Sequence, residues 1–249
     1  MAIQKSLGIV LRRQDLRETS LIVTFYTRDF GKIKGILRGV RGDRAQWFGG
    51  SLEVLSLDEI VFYENKKRDI YTVSQCDLAE FFNPIRESLD KLSHAAYIAE
   101  LLDSVTGPGE TNVEVFDLLL NSLRLMAGES SPRRVTRIFE IKILYLLGLM
   151  PSLGSCASCS GTLDSASRFS VSHGGLICRS CLSSDRDACP ILPGTVRFMA
   201  HIQSMAFEKV ARVKVSAEVG RELERILRKF LDYHIERRMK TLEFMRKIS

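Results

Sequence analysis

Four cysteines in one short stretch have the residue type and the spacing of a metal site. They form two Cys-x-x-Cys pairs with eighteen residues between the pairs, at Cys156, Cys159, Cys178 and Cys181. Two such turns, held together by a hairpin, bring four sulfurs into the tetrahedral shell of a structural zinc ion. The stretch between the pairs supplies a hairpin, because alternating residues from Phe169 lead to a turn at Gly174-Gly175. The sequence therefore predicts a structural Zn²⁺ site.

Disulfide bonds and a redox-active dithiol are the alternatives to zinc. No signal peptide opens the chain, which predicts a reducing compartment where disulfides do not persist. A redox motif needs only one Cys-x-x-Cys pair, at the start of a helix that follows a strand. His173 and Cys189 are spare ligands, either of which could replace a cysteine. The simpler interpretation makes His173 a solvated hairpin-tip residue and Cys189 a free thiol.

No set of residues in the chain has the pattern of a catalytic site. There is no Walker-type glycine-rich loop, no Gly-x-Ser-x-Gly and no His-Glu-x-x-His, and the 4 histidines are scattered. We therefore expect a protein that is not an enzyme and needs no nucleotide hydrolysis. A net charge of +6 favours a polyanionic partner. No apolar run reaches the roughly 18 residues that a membrane span requires, so we expect no membrane partner.

Basic residues concentrate on one predicted strand and on the loop that follows it. Six basic residues and two acids lie between residues 28 and 44. Cations beside aromatic residues suit single-stranded nucleic acid, because the cations neutralise phosphates while the rings stack on bases. The candidate DNA contacts are Lys32, Lys34, Arg38, Arg41, Arg44 and Trp47. The alternative is a solvated barrel face with Trp47 and Phe48 buried in the core.

A second basic patch, for DNA or a protein partner, is predicted at the start of the third helix. Its residues are Arg133, Arg134 and Arg137. Cations at that end oppose the helix dipole, which favours a role towards a partner. The end of the chain holds a further basic run, with nine basic residues and five acids between 221 and 249. A solvated cationic face is the simpler interpretation of that run.

A β domain, a helical domain and an insertion position these residues. Residues 1–80 have the pattern of five short strands with glycine turns, which predicts a small barrel of the OB or SH3 kind. Residues 81–150 follow helical spacing, residues 151–192 hold the cysteine insertion, and residues 193–249 return to helix. The predicted fold class is therefore α+β.

Several segments of this arrangement resemble a known family. The barrel opens with Gly8-Ile9-Val10-Leu11-Arg12-Arg13, and a turn follows at Thr27-Arg28-Asp29-Phe30-Gly31-Lys32. The chain closes on Tyr233-His234 and Lys240-Thr241. Together with the four-cysteine insertion, these residues resemble the bacterial recombination mediator family RecO over essentially the whole chain.

The resemblance implies an OB-fold barrel, an α-helical domain and a zinc finger with an architectural metal. It implies binding of single- and double-stranded DNA, annealing of complementary strands, and a role in recombination repair of DNA damage. It also implies work with RecR and the single-strand-binding protein to load the recombinase RecA, in the cytoplasm at the nucleoid. The four cysteines carry over as zinc ligands and the basic barrel residues as DNA contacts. An RNA-binding or transcription-type module with a zinc ribbon is the alternative function.

Overall fold

The chain folds into two compact units. Unit 1 comprises residues 1–132 and 239–249, and unit 2 comprises residues 133–238. The computed structural model describes residues 2–40, 52–63, 70–128, 130–210, 213, 215–235 and 238–248. None of the helices in this described part combines the length and the apolar character that a membrane crossing needs.

Unit 1 is built on a closed five-stranded barrel of the OB-like kind. Its strands are β1 Ile3–Arg17, β2 Ser20–Thr27, β3 Gly31–Arg38, β4 Leu57–Tyr63 and β5 Ile70–Glu80. They are arranged in the order β1-β2-β3-β5-β4. All neighbours pair antiparallel except β3 and β5, which pair parallel. Closure pairs the strand edges, so a β domain of this size can hold its own core.

Alternation along β3 separates a core face from a solvent face. Ile33 and Leu37 are buried, whereas Lys34 and Arg38 are exposed. Successive side chains of a strand point to opposite faces, so the sequence itself produces this division. A Cβ at Gly35 would lie 2.5 Å from Val73 Cγ2, so a larger residue at this position of β3 would force Val73 to shift.

Three helices follow the barrel in unit 1. They are α1 Asn83–Arg86, α2 Leu89–Val105 and α3 Val113–Ala127. The side chains of Ser88 and Asn112 accept hydrogen bonds from backbone N–H groups in the first turns of α2 and α3. These N-caps satisfy donors that a helix start leaves open, which explains where both helices begin.

Unit 2 combines helices with a short hairpin. Its elements are α4 Pro132–Leu146, β6 Arg168–Ser170, β7 Gly175–Ile177, a 3-10 helix Arg179–Ser184, α5 Pro193–Ser204, α6 Phe207–Val210 and α7 Ala217–His234. Lys142 of α4 donates to the carbonyls of Gln203 and Met205 at the end of α5. Thr195 of α5 donates to Glu222 of α7 at 2.6 Å. These side chains tie α4, α5 and α7 together.

The last helix, α8 Lys240–Ile248, belongs to unit 1. The backbone N–H groups of Lys240 and Thr241 each donate to the Glu100 carboxylate at 2.9 Å. A carboxylate at this end caps the helix and complements its dipole. Glu100 therefore fixes the start of α8 on α2. The barrel, the helices and the cysteine insertion confirm the predicted α+β fold.

Candidate metal centre and nucleic-acid interface

The four predicted ligand cysteines lie together in unit 2, and we call this cluster the metal centre because its sulfurs could hold one metal ion. The Sγ atoms of Cys156, Cys159, Cys178 and Cys181 all lie within 4.8 Å of one another. Zinc–thiolate bonds of about 2.3 Å in a tetrahedron separate the sulfurs by about 3.8 Å. Cys159 Sγ and Cys178 Sγ are 3.8 Å apart. The predicted four-cysteine cluster is confirmed, and its dimensions fit zinc.

Backbone hydrogen bonds shape the first cysteine turn around its sulfur. The Ser160 N–H donates to the Cys156 carbonyl at 2.8 Å, with Ser160 in the left-handed region at φ 59. The Cys178 N–H donates to Cys156 Sγ at 3.3 Å. This hydrogen bond is the largest cause that lowers the pKa of Cys156, to about 6. A hydrogen bond with Ser158 lowers the pKa of Cys181, but hydrogen bonds with Cys159 and Cys178 outweigh this effect and raise that pKa to about 12. Without a metal, the cluster therefore favours the thiolate form at Cys156 and the thiol form at Cys181.

Neither spare ligand joins the metal centre. His173 Nδ1 lies 3.0 Å from Ser170 Oγ, and its Nε2 lies 3.4 Å from Ser184 Oγ. Cys189 exchanges backbone hydrogen bonds with Phe169 at 2.8 and 2.9 Å, which extends the β6–β7 hairpin. The sulfur cluster is complete without them, so the geometry gives a closed shell of the structural kind.

The second candidate site is the outer surface of β1, β2 and β3. Lys34 lies opposite Thr24, and Thr24 lies opposite Arg12. Residues that face each other in antiparallel strands project from the same side of the sheet, so Arg12 and Lys34 share one surface. Both side chains are exposed, as is Arg38 further along β3.

Two isoleucines lie between these cations. Ile22 pairs with Ile36, in a row between the row of Lys34 and the row of Arg38. Both isoleucines are half-buried. The surface therefore places apolar groups among cations. Such a surface suits a ligand that carries both phosphates and bases. We call this surface the barrel face, and its residues are Arg12, Ile22, Lys34, Ile36 and Arg38.

Arg12 is a member of the barrel face that sequence reasoning missed. The pattern in β1 groups Leu7, Ile9 and Leu11 on one side, but the register of β1 with β2 shifts between Val10 and Arg12. This irregularity turns Val10 into the barrel core, while Arg12 takes its place opposite Thr24. The only signal in the sequence is an arginine in a predicted strand, and the partner strand decides its position.

Lys32 makes contacts of a different kind from those of Lys34. Its Nζ donates to the Asp103 carbonyl at 2.6 Å and lies 3.2 Å from Asp103 Oδ1. Only 11% of the Lys32 side chain is exposed. The Gly109 N–H also donates to the Lys32 carbonyl at 2.9 Å. In this structure Lys32 therefore fixes β3 to the last turn of α2 and to the segment that follows it, and its ammonium does not lie on the barrel face.

The predicted second patch on α4 separates into residues with different environments. Arg133 is exposed and Arg134 is half-buried. Arg137 is only 8% exposed, and its Nη1 lies 2.9 Å from Oε2 of the fully buried Glu140. Arg137 thus takes part in a buried ion pair, whereas Arg133 is open to a ligand. Arg41, Arg44 and Trp47, together with Phe48, lie outside the described residues.

These features define a class of protein with an OB-like barrel, a helical part and a four-cysteine metal centre. The family model described as Recombination protein O N terminal matches residues 1–82, and the model described as Recombination protein O C terminal matches residues 86–243. The chain therefore belongs to the RecO family, which confirms the resemblance seen in its sequence.

Relatives of similar length support the same family. The chain is 34% identical over 245 residues to the DNA repair protein RecO of Pelotomaculum thermopropionicum, covering 98% of this chain and 94% of the relative. It is 34% identical over 246 residues to the DNA repair protein RecO of Alkaliphilus metalliredigens, with 98% and 99% covered. The RecO protein of Syntrophus aciditrophicus is 32% identical over 252 residues, with 100% and 97% covered.

Proposed function

We propose that the protein is a DNA-binding mediator of recombination repair that anneals complementary single strands. The observation that carries this proposal is the barrel face, where Arg12, Lys34 and Arg38 surround half-buried isoleucines. Membership of a family of recombination and repair proteins supports DNA as the ligand. The protein acts through binding and not as an enzyme.

The spacing of the cations suits the backbone of one nucleic-acid strand. Two strand spacings place Arg12 about 10 Å from Lys34, and four residue steps along β3 place Lys34 about 13 Å from Arg38. Each cation can therefore contact a different phosphate. Ile22 and Ile36 then offer apolar contact to sugars and bases without selecting a sequence. Arg41, Arg44 and Trp47, which follow β3 in the sequence, remain proposed contacts.

A second surface is needed to hold the complementary strand. Arg133 is its best-supported residue, since it is exposed at the start of α4, where a cation opposes the helix dipole. Two strands bound by one protein have a raised effective concentration and a reduced mutual repulsion. Annealing then needs no ATP. Charge reversal at Arg133 should slow annealing more than it weakens binding of one strand.

The metal centre is proposed to hold one structural Zn²⁺ through its four thiolates. A bound zinc supplies a cross-link between the two cysteine turns and no reactive position, because four sulfurs fill its shell. The chain's own part is to present Cys156 as a thiolate and to orient the second turn from β7. The zinc therefore serves the architecture of unit 2.

The proposed protein partners rest on membership of the RecO family and not on a surface that the structure describes. We infer that the protein works with RecR and the single-strand-binding protein to load RecA, in the cytoplasm at the nucleoid. An RNA-binding or transcription-type zinc-ribbon module is the second candidate function, because a barrel and a four-cysteine site also suit RNA. Competition between single-stranded DNA and structured RNA distinguishes the two functions, and preference for RNA would favour the second.

Annealing of complementary oligonucleotides without ATP tests the proposed function. We expect the wild type to accelerate pairing, and Lys34→Ala with Arg38→Ala to remove most of that acceleration. Lys5→Ala is the matched control, because Lys5 is an exposed barrel lysine already paired with Glu59 at 2.7 Å. A requirement for ATP, or a double variant that anneals at the wild-type rate, would contradict the proposal.

A further inference from the structure

Two exposed rings lie at the end of α7, in unit 2 and apart from the metal ligands. Tyr233 is 58% exposed, and His234 is also exposed. Their ring centroids are 5.2 Å apart with an interplanar angle of 82°, which is an edge-to-face contact. Each ring thus limits the freedom of the other while much of both residues stays exposed to solvent.

Buried aromatic residues anchor the His234 ring, which in turn contacts Tyr233. The His234 ring lies 4.3 Å from the Phe230 ring, and the Phe230 ring lies 5.9 Å from the Phe169 ring. Phe230 and Phe169 are only 2% and 1% exposed. A row of four rings therefore runs from β6 to the surface at the end of α7. The buried rings restrain His234 directly and Tyr233 only through His234, and this restraint before a ligand arrives lowers the entropy cost of binding.

The β6–β7 hairpin connects this ring row to the metal centre. Phe169 pairs with Leu176, and the neighbouring Arg168 pairs with Ile177. Ile177 packs against Cys156 and Cys178 in the small core around the sulfurs. A zinc ion that holds the cysteine turns would therefore also hold the strand on which the ring row rests.

A cation lies beside the exposed rings on the same helix. Lys229 is exposed and precedes Tyr233 by four residues, so the two side chains are neighbours on the helix surface. Six basic residues and two acids lie between residues 225 and 240. Rings that offer their faces beside a cation match the recognition of single-stranded nucleic acid, in which bases stack and phosphates are neutralised.

We propose that Tyr233 and His234 form a base-stacking site for single-stranded DNA, with Lys229 contacting a phosphate of the same strand. This proposal rests on the proposed function, because it assumes that the protein binds single strands. It adds a site in unit 2 that contacts the bases of the strand. The barrel face in unit 1 acts mainly on the backbone.

Two ligands with the same number of phosphates test the proposal. One is an oligothymidylate and the other an abasic oligonucleotide of equal length, both measured by fluorescence anisotropy. We expect Tyr233→Ala to weaken binding of the oligothymidylate roughly 5- to 100-fold, from the strength of one base–aromatic stack. Binding of the abasic strand should change less than about 2-fold. Lys229→Ala should weaken both ligands and reduce the salt slope by about 0.7.

Matched variants control for folding and for general surface effects. Tyr233→Phe keeps the ring and should restore wild-type affinity for the oligothymidylate. Tyr145 of α4, 50% exposed in the same unit, supplies the control Tyr145→Ala, which should have no effect. Equal loss for both ligands in Tyr233→Ala, or no loss for either, would overturn the base-stacking site while leaving the proposed function intact. A wild type that binds neither ligand would overturn the proposed function itself.

Discussion

The metal centre and the barrel face are built in opposite ways. All four sulfurs of the metal centre come from one short stretch of chain and complete a single closed shell. The cations of the barrel face come from β1 and β3, and each has its own position. Loss of one sulfur therefore affects the whole metal centre, whereas loss of one cation should subtract only its own contact. The metal centre is therefore expected to be a cooperative site, and the barrel face an additive one.

Removal of one sulfur should have the largest effect of the variants considered. We expect Cys178→Ser to lose the proposed zinc, because structural zinc sites hold their metal with an apparent free energy of ~10–16 kcal/mol that depends on the complete ligand set. Residues 150–190 should loosen while the barrel stays folded. Elemental analysis gives the metal content, and hydrogen exchange compares the hairpin with the barrel.

Cys189→Ser is the control for that experiment, because Cys189 lies outside the sulfur cluster. It should retain the metal. Wild-type protein purified without chelator that contains no metal would contradict the zinc proposal. A Cys178→Ser variant that keeps full zinc would contradict the cooperative character of the site.

Substitution of the buried arginine of α4 should have the next largest effect. This effect should be on the stability of the protein and not on its binding of DNA. Arg137→Met removes the cation that lies 2.9 Å from the fully buried Glu140 carboxylate. We expect a loss of about 3 kcal/mol, at the low end for a buried pair, because charge and not a well-aligned hydrogen bond joins the two groups. The measurement is the free energy of unfolding in urea, and Arg133→Met should change it by about 0.5 kcal/mol or less. Similar values for both variants would contradict the separation of the two arginines.

Lys32 and Lys34 allow a comparison within one strand. Lys32→Met removes the hydrogen bond to the Asp103 carbonyl and the ion pair to its carboxylate, so the free energy of unfolding should fall by about 1–3 kcal/mol. The salt dependence of DNA binding should not change, because Lys32 does not lie on the barrel face. A lowered salt slope in Lys32→Met, with unchanged stability, would place Lys32 among the DNA contacts after all.

Single substitutions on the barrel face should have the smallest effects, and these should add. Arg12→Ala and Lys34→Ala should each reduce the slope of log affinity against log salt by about 0.7, and the double variant by about 1.4. Titration of a single-stranded oligonucleotide at several salt concentrations measures these slopes. An unchanged slope in Arg12→Ala would show that Arg12 is not a DNA contact. A double variant with the same slope as one single variant would show that the contacts are not independent.

The sequence predicted the four-cysteine cluster well, because residues close together in the chain specify its geometry. A Cys-x-x-Cys turn places its two sulfurs through backbone geometry alone, and a hairpin between two such turns leaves little choice for the other pair. The closed barrel could also be predicted, since glycine turns and alternating strands specify it. The family resemblance was carried by the same kind of local signal, and the family models confirm it.

The positions of individual cations could not be predicted, because tertiary contacts decide them. Lys32 and Lys34 alternate identically in the sequence, yet Asp103, which lies far along the chain, binds only one of them. Arg137 lies near Arg133 on α4, but only Arg137 is buried with Glu140. The shift in register at Leu11 is also invisible until β1 pairs with β2. Asp103 and β2 lie distant in sequence from the residues they position, and α4 itself must pack before Arg137 and Glu140 are buried.

The return of α8 to unit 1 has a consequence for the order in which the protein folds during synthesis. Unit 1 includes residues 239–249, so the ribosome must translate residues 133–238 before that unit has all of its chain. At about 5–20 residues per second, this interval lasts on the order of 5–20 s. Until then Glu100 lacks the backbone N–H groups that it caps, and the α2 surface that meets Phe244 stays uncovered. A helix that is synthesised after unit 2 therefore completes a unit whose barrel is synthesised before it.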